Sequence, residues 1–451
     1  MPFTNKTDKK RGIHIELPPF VGSILERLRC RHFSSYIVGG ALRDIILGRR
    51  VLDWDISTSA KVDEIKSIFS DIRHYSLKHE TVTLVESGKL FEITTMKGKG
   101  NSGLNIKEDL NHRDFTINAM AYDDINCIIL DPHDGRRDIE GRVLRGVLNP
   151  EHRFREDPLR MLRAVRIAAE LNFKIEQETL DCISFNHRLL GSISVERIRD
   201  ELLKILMVEK PSRPLNILRK TGILKEIMPE LLEGYRKKQN KWHRHTIYRH
   251  AVETVDRVPL KPVLRLAALL HDVAKPRVRD KINGEFHFYN HEKAGAVIGK
   301  EIMERLRFSN DDMKKALNLI SLHMIDYNRD WSDGAVRRLI KRAGHDIHDL
   351  ISLRRADINA HGVDHMEPAL LDELEDRIER IGGENSTLGI SDLAIGGREV
   401  MNILKLKPGP CVGDALNRLY EAVIDNPDLN TKDSLMELLR EKKEKQIECN
   451  H

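Results

Sequence analysis

None of the five cysteines (Cys30, Cys127, Cys182, Cys411 and Cys449) stands in a C-x-x-C pair, which argues against a disulfide framework and against a cysteine zinc cluster. Reduced thiols are expected. There is no uninterrupted apolar run long enough to span a bilayer, and the opening MPFTNKTDKKRG carries cations without an apolar stretch behind them. A cytoplasmic protein with no membrane partner is the expectation. A large charge of one sign is also missing. The 75 Lys+Arg stand against 70 Asp+Glu, a formal net charge of +5 at pH 7, far from what a general nucleic-acid coat carries. A polyanion would have to be bound through local patches. No internal repeat stands out. What is present is 451 residues, 40% hydrophobic and 32% charged, enough apolar material for two to four folded domains.

Residues from about Phe20 to Pro150 read as mixed α/β. The strand-like SSYIV runs into Gly39-Gly40 with a helical ALRDIILG behind it, TVTLV and KLFEITT flank Glu86-Ser87-Gly88 as a hairpin, and CIILDP is a further short strand. From about Glu151 onward, DPLRMLRAVRIAAEL, VERIRDELLKILM and PVLRLAALLHDVAK carry apolar residues at helical spacing, so the remainder is expected to be all helical. Joints are expected near EGYRKKQNKWHRH and near IGGENSTLG.

A strand that runs into two glycines and then a helix lets backbone N–H groups approach an anion, and Arg43, one turn on, is placed to pair with a phosphate or to lie on the surface. Asp53 and Asp55 in VLDWDIS are two apart in an extended segment, so both side chains leave one face. Carboxylates held that close repel unless a cation lies between them, and hard oxygen ligands suit Mg²⁺. Glu92 in LFEITT faces one side of the proposed hairpin, either as a third carboxylate or as a solvent-facing glutamate.

The blocks YIVGGALRDIILGRRVLDWDISTSA, HRDFTINAMAYD and RFREDPLRMLRAVRIAAELNF, in that order, resemble the signature blocks of the class II tRNA nucleotidyltransferase and poly(A) polymerase family. The resemblance implies a multidomain α+β protein: a polymerase-beta-like head with a mixed sheet (20–150), an all-α neck (151–235), an HD-type body (236–385) and a tRNA-binding tail (386–451). It implies that CTP or ATP is joined to the 3′ end of tRNA, that Gly39, Gly40 and Arg43 grip the triphosphate, and that Asp53 and Asp55 hold Mg²⁺. Arg113 and Asp114 would make sugar and phosphate contacts, although this chain has His112 where the family usually has a second arginine. Asp157 and Arg160, read as neighbours three apart on one helix, would recognise the base edge: a carboxylate accepts from the exocyclic amine of cytosine or adenine, and a guanidinium donates to the ring. Glu156 would support that geometry, and Arg163 and Arg166 would contact phosphate or brace it. Between EITT and the second block lies only MKGKGNSGLNIKEDLN, shorter than in full CCA-adding relatives. In the family such shortening accompanies addition of CC alone, so a CC-adding enzyme with a separate A-adding partner in the cell is expected, the alternatives being full CCA addition, A addition alone, polyadenylation, or a bifunctional enzyme with HD phosphohydrolase activity.

A second constellation gathers histidines. His271 and Asp272 end an apolar helical stretch, with His250 upstream and His291, His323 and Asp357 downstream. Imidazole and carboxylate ligands converging from several helices suit a divalent transition metal. The pattern resembles the HD-domain phosphohydrolases, which implies His250, His271, Asp272 and Asp357 as metal ligands and leaves His291 and His323 for a second metal or a phosphate.

Overall fold

In the computed structural model, residues 13–77, 80–98, 105–239, 244–361, 368–383 and 389–448 are described. They belong to two compact units, Met1–Pro229 and Glu230–His451. Residues 99–104, on which the short-loop expectation partly rests, lie outside the described residues, as do residues 384–388 of the expected second joint and residues 240–243 of the first. Among the described residues no helix is long and apolar enough to cross a membrane.

The first unit is built on a seven-stranded sheet: β1 (Ser35–Val38), β2 (Trp54–Thr58), β3 (His74–Leu77), β4 (Thr81–Glu86), β5 (Lys89–Thr95), β6 (Ala121–Asp123) and β7 (Ile128–Leu130), in the order β3-β4-β5-β2-β1-β6-β7. The β4–β5 hairpin forms as its alternation predicts, turning through Ser87 and Gly88, both at positive φ. β2 lies inside the sheet, antiparallel to β1 and parallel to β5. Ile37, Ile56 and Ile93 from these three neighbours are fully buried, each worth about 1.5–3 kcal/mol of apolar burial. That row fixes the register, since a slip of one residue would turn the apolar set to the wrong face.

Helix α1 (Gly39–Ile46) springs directly from β1, and α2 (Ile106–Asn111) precedes the second sequence block. Helices α3 (Pro150–Glu156) and α4 (Leu159–Leu171) follow, with α5 (Val195–Leu206) packed on α4. Two interruptions depart from an all-helical remainder. Lys174–Ile175 (β9) pairs in parallel with Val143–Leu144 (β8), and Asp280–Ile282 (β10) with Glu285–His287 (β11) forms a hairpin in the second unit. Asn283 and Gly284, both at positive φ, close that hairpin in two residues, a conformation that the Asn-Gly pair favours.

The second unit is otherwise helical where described. α6 (Ile247–Val255), α7 (Pro262–Leu270), α8 (His291–Arg305), α9 (Asn310–Leu322) and α10 (Ile347–His361) surround a polar centre. The segment from Leu393 to Leu439 has its own apolar cluster around Val400, Leu419, Val423 and Leu435.

Candidate active site and metal centre

Sheet register assembles the first site. Asp55 is opposite Val38 across the β1–β2 pair and opposite Glu92 across the β2–β5 pair, so Glu92 is brought beside Asp55 as a third carboxylate. Asp53 lies just before β2 and is exposed. Burial pushes the Asp55 carboxyl upward, opposed by the Arg113 guanidinium and the Gly40 N–H. Glu92 is pushed up by burial and then by the charges of Asp55 and Asp53. Carboxylates whose mutual repulsion raises their proton affinity are a donor set that a hard cation relieves, so the residues fit Mg²⁺.

The two glycines are explained by this carboxylate. Gly40 donates its N–H to Asp55 Oδ2 at 3.1 Å. Gly39 has φ +67°, and a Cβ there would come within 2.6 Å of the same oxygen and 3.0 Å of the Arg113 guanidinium. Only glycine satisfies both the backbone angle and the space.

Behind the carboxylates runs a hydrogen-bonded chain. Arg43 donates to Asn118 Oδ1 at 2.9 Å, Asn118 donates to Asp114 Oδ1 at 3.0 Å, and Arg163 donates to Asp114 Oδ2 at 2.7 and 3.0 Å. Against the cost of burial, Arg163 and Asn118 hold Asp114 well below the usual carboxylate range. Arg113 donates to buried Asp109 at 3.2 Å, and Asp109 also accepts from Ser57 Oγ at 3.0 Å. Asp109 and Asn118 were missed by sequence reasoning: their role is visible only once the side chains they brace are in place.

The third block departs from its expected geometry. Asp157 is not on a helix. α3 ends at Glu156, α4 begins at Leu159, and Asp157 takes φ −146° and ψ 97° because Pro158 disfavours the helical region for the residue before it. Its Oδ1 accepts from the Leu159 N–H at 3.2 Å and its Oδ2 from Arg197 at 2.9 Å. Arg160, in the first turn of α4, donates to Glu156 at 3.1 Å and to the His112 carbonyl at 2.9 Å. Arg163 thus braces Asp114, and Arg166 ties α4 to α5 through Glu201 while also donating to Glu170 at 2.8 Å. His112 stands 3.4 Å from the Arg153 guanidinium; burial and that charge push its imidazole down, toward the neutral form.

The second site is buried. His250, His271, Asp272, His291, His323 and Asp357 are each at most 5% exposed. His250 Nε2 is 2.9 Å from Asp357 Oδ1, His271 Nε2 is 3.3 Å from His250 Nε2 and 3.2 Å from Asp272 Oδ2. On the other side of Asp272, Oδ1 faces His291 Nε2 at 3.4 Å and His323 Nε2 at 3.7 Å, and those two nitrogens are 3.2 Å apart. His271, His291 and His323 donate Nδ1–H to the carbonyls of Ala268, Phe288 and Ile320 at 2.7–2.8 Å, which leaves each Nε2 aimed inward.

Sequence reasoning also missed the cations around this centre. Lys275 Nζ lies 2.7 Å from Asp272 Oδ2, and Arg354 donates to Asp357 Oδ2 at 2.7 Å. Both stand three residues from the carboxylate they pair with, a spacing the sequence displays. His361 Nε2 is a further 3.2 Å neighbour of Asp357. Despite burial, Asp272 and Asp357 hold the His271 imidazolium up to about 10, while burial and the His271 charge press His323 down to about 3. Inward-facing imidazole nitrogens and an aspartate offered to both sides form a donor set suited to a divalent transition metal, whose binding would displace the His271 proton.

The chain matches the Poly A polymerase head domain over residues 35–145, the probable RNA and SrmB-binding site of polymerase A over 172–234, and the HD domain over 247–364. It is 41% identical over 231 residues to the CCA-adding enzyme of Lactobacillus johnsonii, a match covering 48% of this chain and 56% of that enzyme. The chain thus spans little more than half the length of that relative. The A-adding tRNA nucleotidyltransferase of Deinococcus radiodurans is 31% identical over 405 residues, covering 86% of this chain and 91% of the relative. Among solved structures, the Bacillus stearothermophilus CCA-adding enzyme in complex with CTP superposes with a TM-score of 0.72 at 27% identity, covering 96% of this chain and 100% of that one.

Proposed function

The chain belongs to the tRNA nucleotidyltransferase family that includes the CCA-adding and A-adding enzymes, and on that premise we propose that it extends the 3′ end of tRNA from CTP and ATP without a nucleic-acid template. Residues 20–150 form the catalytic head in this reading, 151–235 the neck, 236–385 the metal-binding body and 386–451 the tRNA-binding tail. The observation that carries it is the register that sets Asp55 beside Glu92 and under the Gly40 N–H. Mg²⁺ held by Asp53 and Asp55, when bound, lowers the pKa of the tRNA 3′-hydroxyl and neutralises charge growing on the phosphate oxygens. The chain's own groups position the reactants. Gly39 and Gly40 are the proposed grip on the triphosphate, their lack of side chains letting the backbone close on Asp55, and Arg43 and Arg113, each oriented by a hydrogen-bonded partner, supply positive charge. Glu92 adds a third acceptor beside Asp55.

Base selection is assigned to Asp157 and Arg160. Asp157, fixed by Arg197 and the Leu159 N–H, accepts from the exocyclic amine of cytosine or adenine, and Arg160 donates to the ring. Uracil and guanine present a carbonyl at that position, and unpaired buried groups penalise them. Because the connection from β5 to α2 is confined to residues 96–105, we read the product as CC, with a separate enzyme adding A. The Deinococcus relative, matched over most of both chains, favours A addition as the second reading. Incubating the protein with tRNA ending at the discriminator base, or ending in CC, with CTP, ATP and both, separates these. A product ending in CCA sinks the CC reading, and extension only of tRNA ending in CC establishes the second.

The body is proposed to hold a divalent transition metal through His250, His271, Asp272 and Asp357, with Asp272, His291 and His323 able to hold a second. Lys275 and the inward-facing imidazoles suit the centre to a phosphate ester. Metal content after mild chelation and reloading, compared with His271→Ala, is the measurement; equal content in the two proteins overturns the assignment.

A further inference from the structure

The register that sets Glu92 beside Asp55 continues one strand further. Glu92 on β5 is opposite Asp55 on β2 and, on its other side, opposite Thr83 on β4, so the three side chains stand in one cross-strand row and leave the same face of the sheet. Across an antiparallel pair such side chains have Cβ atoms about 4.5–5.5 Å apart, within reach of a hydroxyl and a carboxylate. Two residues along the same pair of strands Thr81 and Thr94 are likewise opposite, and their hydroxyl oxygens are 3.0 Å apart.

Thr83 differs from its neighbours on that face. Thr81 and Thr94 have each other, and the Ser57 hydroxyl on β2 donates to Asp109. Thr83 is fully buried, and among the described residues its Oγ1 has no hydrogen-bond partner. Its other cross-strand neighbour is Tyr75 on β3, so the charged group opposite it is Glu92. A buried hydroxyl without a partner weakens a fold, whereas a methyl group in its place does not. A threonine here, where valine has the same shape, calls for a reason outside folding. The carboxylate supplies one: Asp55 and Asp53 repel Glu92, and a hydroxyl donor on the β4 side offsets that repulsion.

We propose that Thr83 is a positioning residue of the head, its hydroxyl donating to one carboxylate oxygen of Glu92 and leaving the other facing Asp55. The bond closes as substrates bind, since hydrogen bonds of a reacting centre tighten in the substrate complex. This inference rests on the reading of the head as a nucleotidyltransferase centre, and adds to it a residue that lies outside all three sequence blocks.

The test compares the full-length chain with Thr83→Val, Thr83→Ser and Glu92→Gln. The midpoint of unfolding in denaturant is measured without nucleotide or metal, and kcat and KM are measured for incorporation into tRNA from whichever of CTP and ATP the unaltered chain uses. Thr83→Val should leave the midpoint unchanged or raise it, while kcat falls about tenfold, the scale of one hydrogen bond to a charged acceptor, and KM stays within about twofold. Thr83→Ser should restore kcat, and Glu92→Gln should cost at least as much as Thr83→Val, because a residue that acts through Glu92 cannot matter more than Glu92 itself. A lowered midpoint for Thr83→Val shows that the hydroxyl serves the fold and overturns the proposal. So do an unchanged kcat in Thr83→Val, a Thr83→Ser as slow as Thr83→Val, or a smaller loss from Glu92→Gln. Absence of incorporation by the unaltered chain from either nucleotide is the separate failure of the reading of the head, and this inference falls with it.

Discussion

The two candidate centres solve the problem of holding like-charged ligands together in opposite ways. In the head, Asp55 and Glu92 come from neighbouring strands, Asp53 is exposed, and repulsion between the carboxylates is left standing. In the body, the ligands are buried, and each carboxylate already has a cation, Lys275 on Asp272 and Arg354 on Asp357. The head's cations Arg43 and Arg113 are held mainly by partners other than Asp55 and Glu92, Asn118 for the first and Asp109 for the second, which orients them for the proposed triphosphate.

The sharpest way to break this contrast is Asp55→Asn. It should cut incorporation into tRNA by about 10³-fold or more, the several kcal/mol of charge stabilisation that a metal clamp supplies, while metal content of the body stays unchanged. A matching loss of body metal would show that the centres are not independent. His271→Ala should bring body metal from stoichiometric to background by elemental analysis, with nucleotide incorporation as the control. Gly39→Ala probes the open site by shape alone: a Cβ pressed against Asp55 and Arg113 should cost about 10² in incorporation, as misplacement by an ångström can. The smallest effect concerns Asp114, whose folded value lies well below its ordinary 3.8. Asp114→Asn should lose about 2 kcal/mol of stability at pH 7, less than a fully buried pair because the Arg163 side chain is 39% exposed. Since the folded value is the lower one, that stabilisation is complete above the unfolded value and fades as pH falls through it toward the folded one. Denaturation curves of the two proteins should therefore converge in acid; a gap unchanged by acid would count against the ion pair.

Much of both centres was legible because local periods expose it. Two-residue alternation singles out Asp53 and Asp55, although Asp53 precedes β2, and His271 and His323 stand at the ends of clear helical patterns. Glu92 was ambiguous for a physical reason: its partner is set by a parallel pairing with β2, more than thirty residues away, which no local pattern encodes. Asp157 was misread because the helical period was carried through Pro158, although the proline itself marks the break. The Asn283-Gly284 turn was legible and was passed over in favour of an all-helical remainder. Asp109 and Asn118 stand four residues from Arg113 and Asp114, but that spacing alone does not say that a bond forms.

His271 and His323 are the residues that close α7 and α9, and the carbonyls they bond, on Ala268 and Ile320, belong to the last turns of those helices, where acceptors lack an intrahelical donor. The bond that selects the ligand tautomer is therefore also a helix cap, made within four residues and independent of any ion. Metal can be gained or lost without uncapping a helix. Unlike small domains that unfold when their metal is removed, the body has a frame that stands without the metal proposed for it.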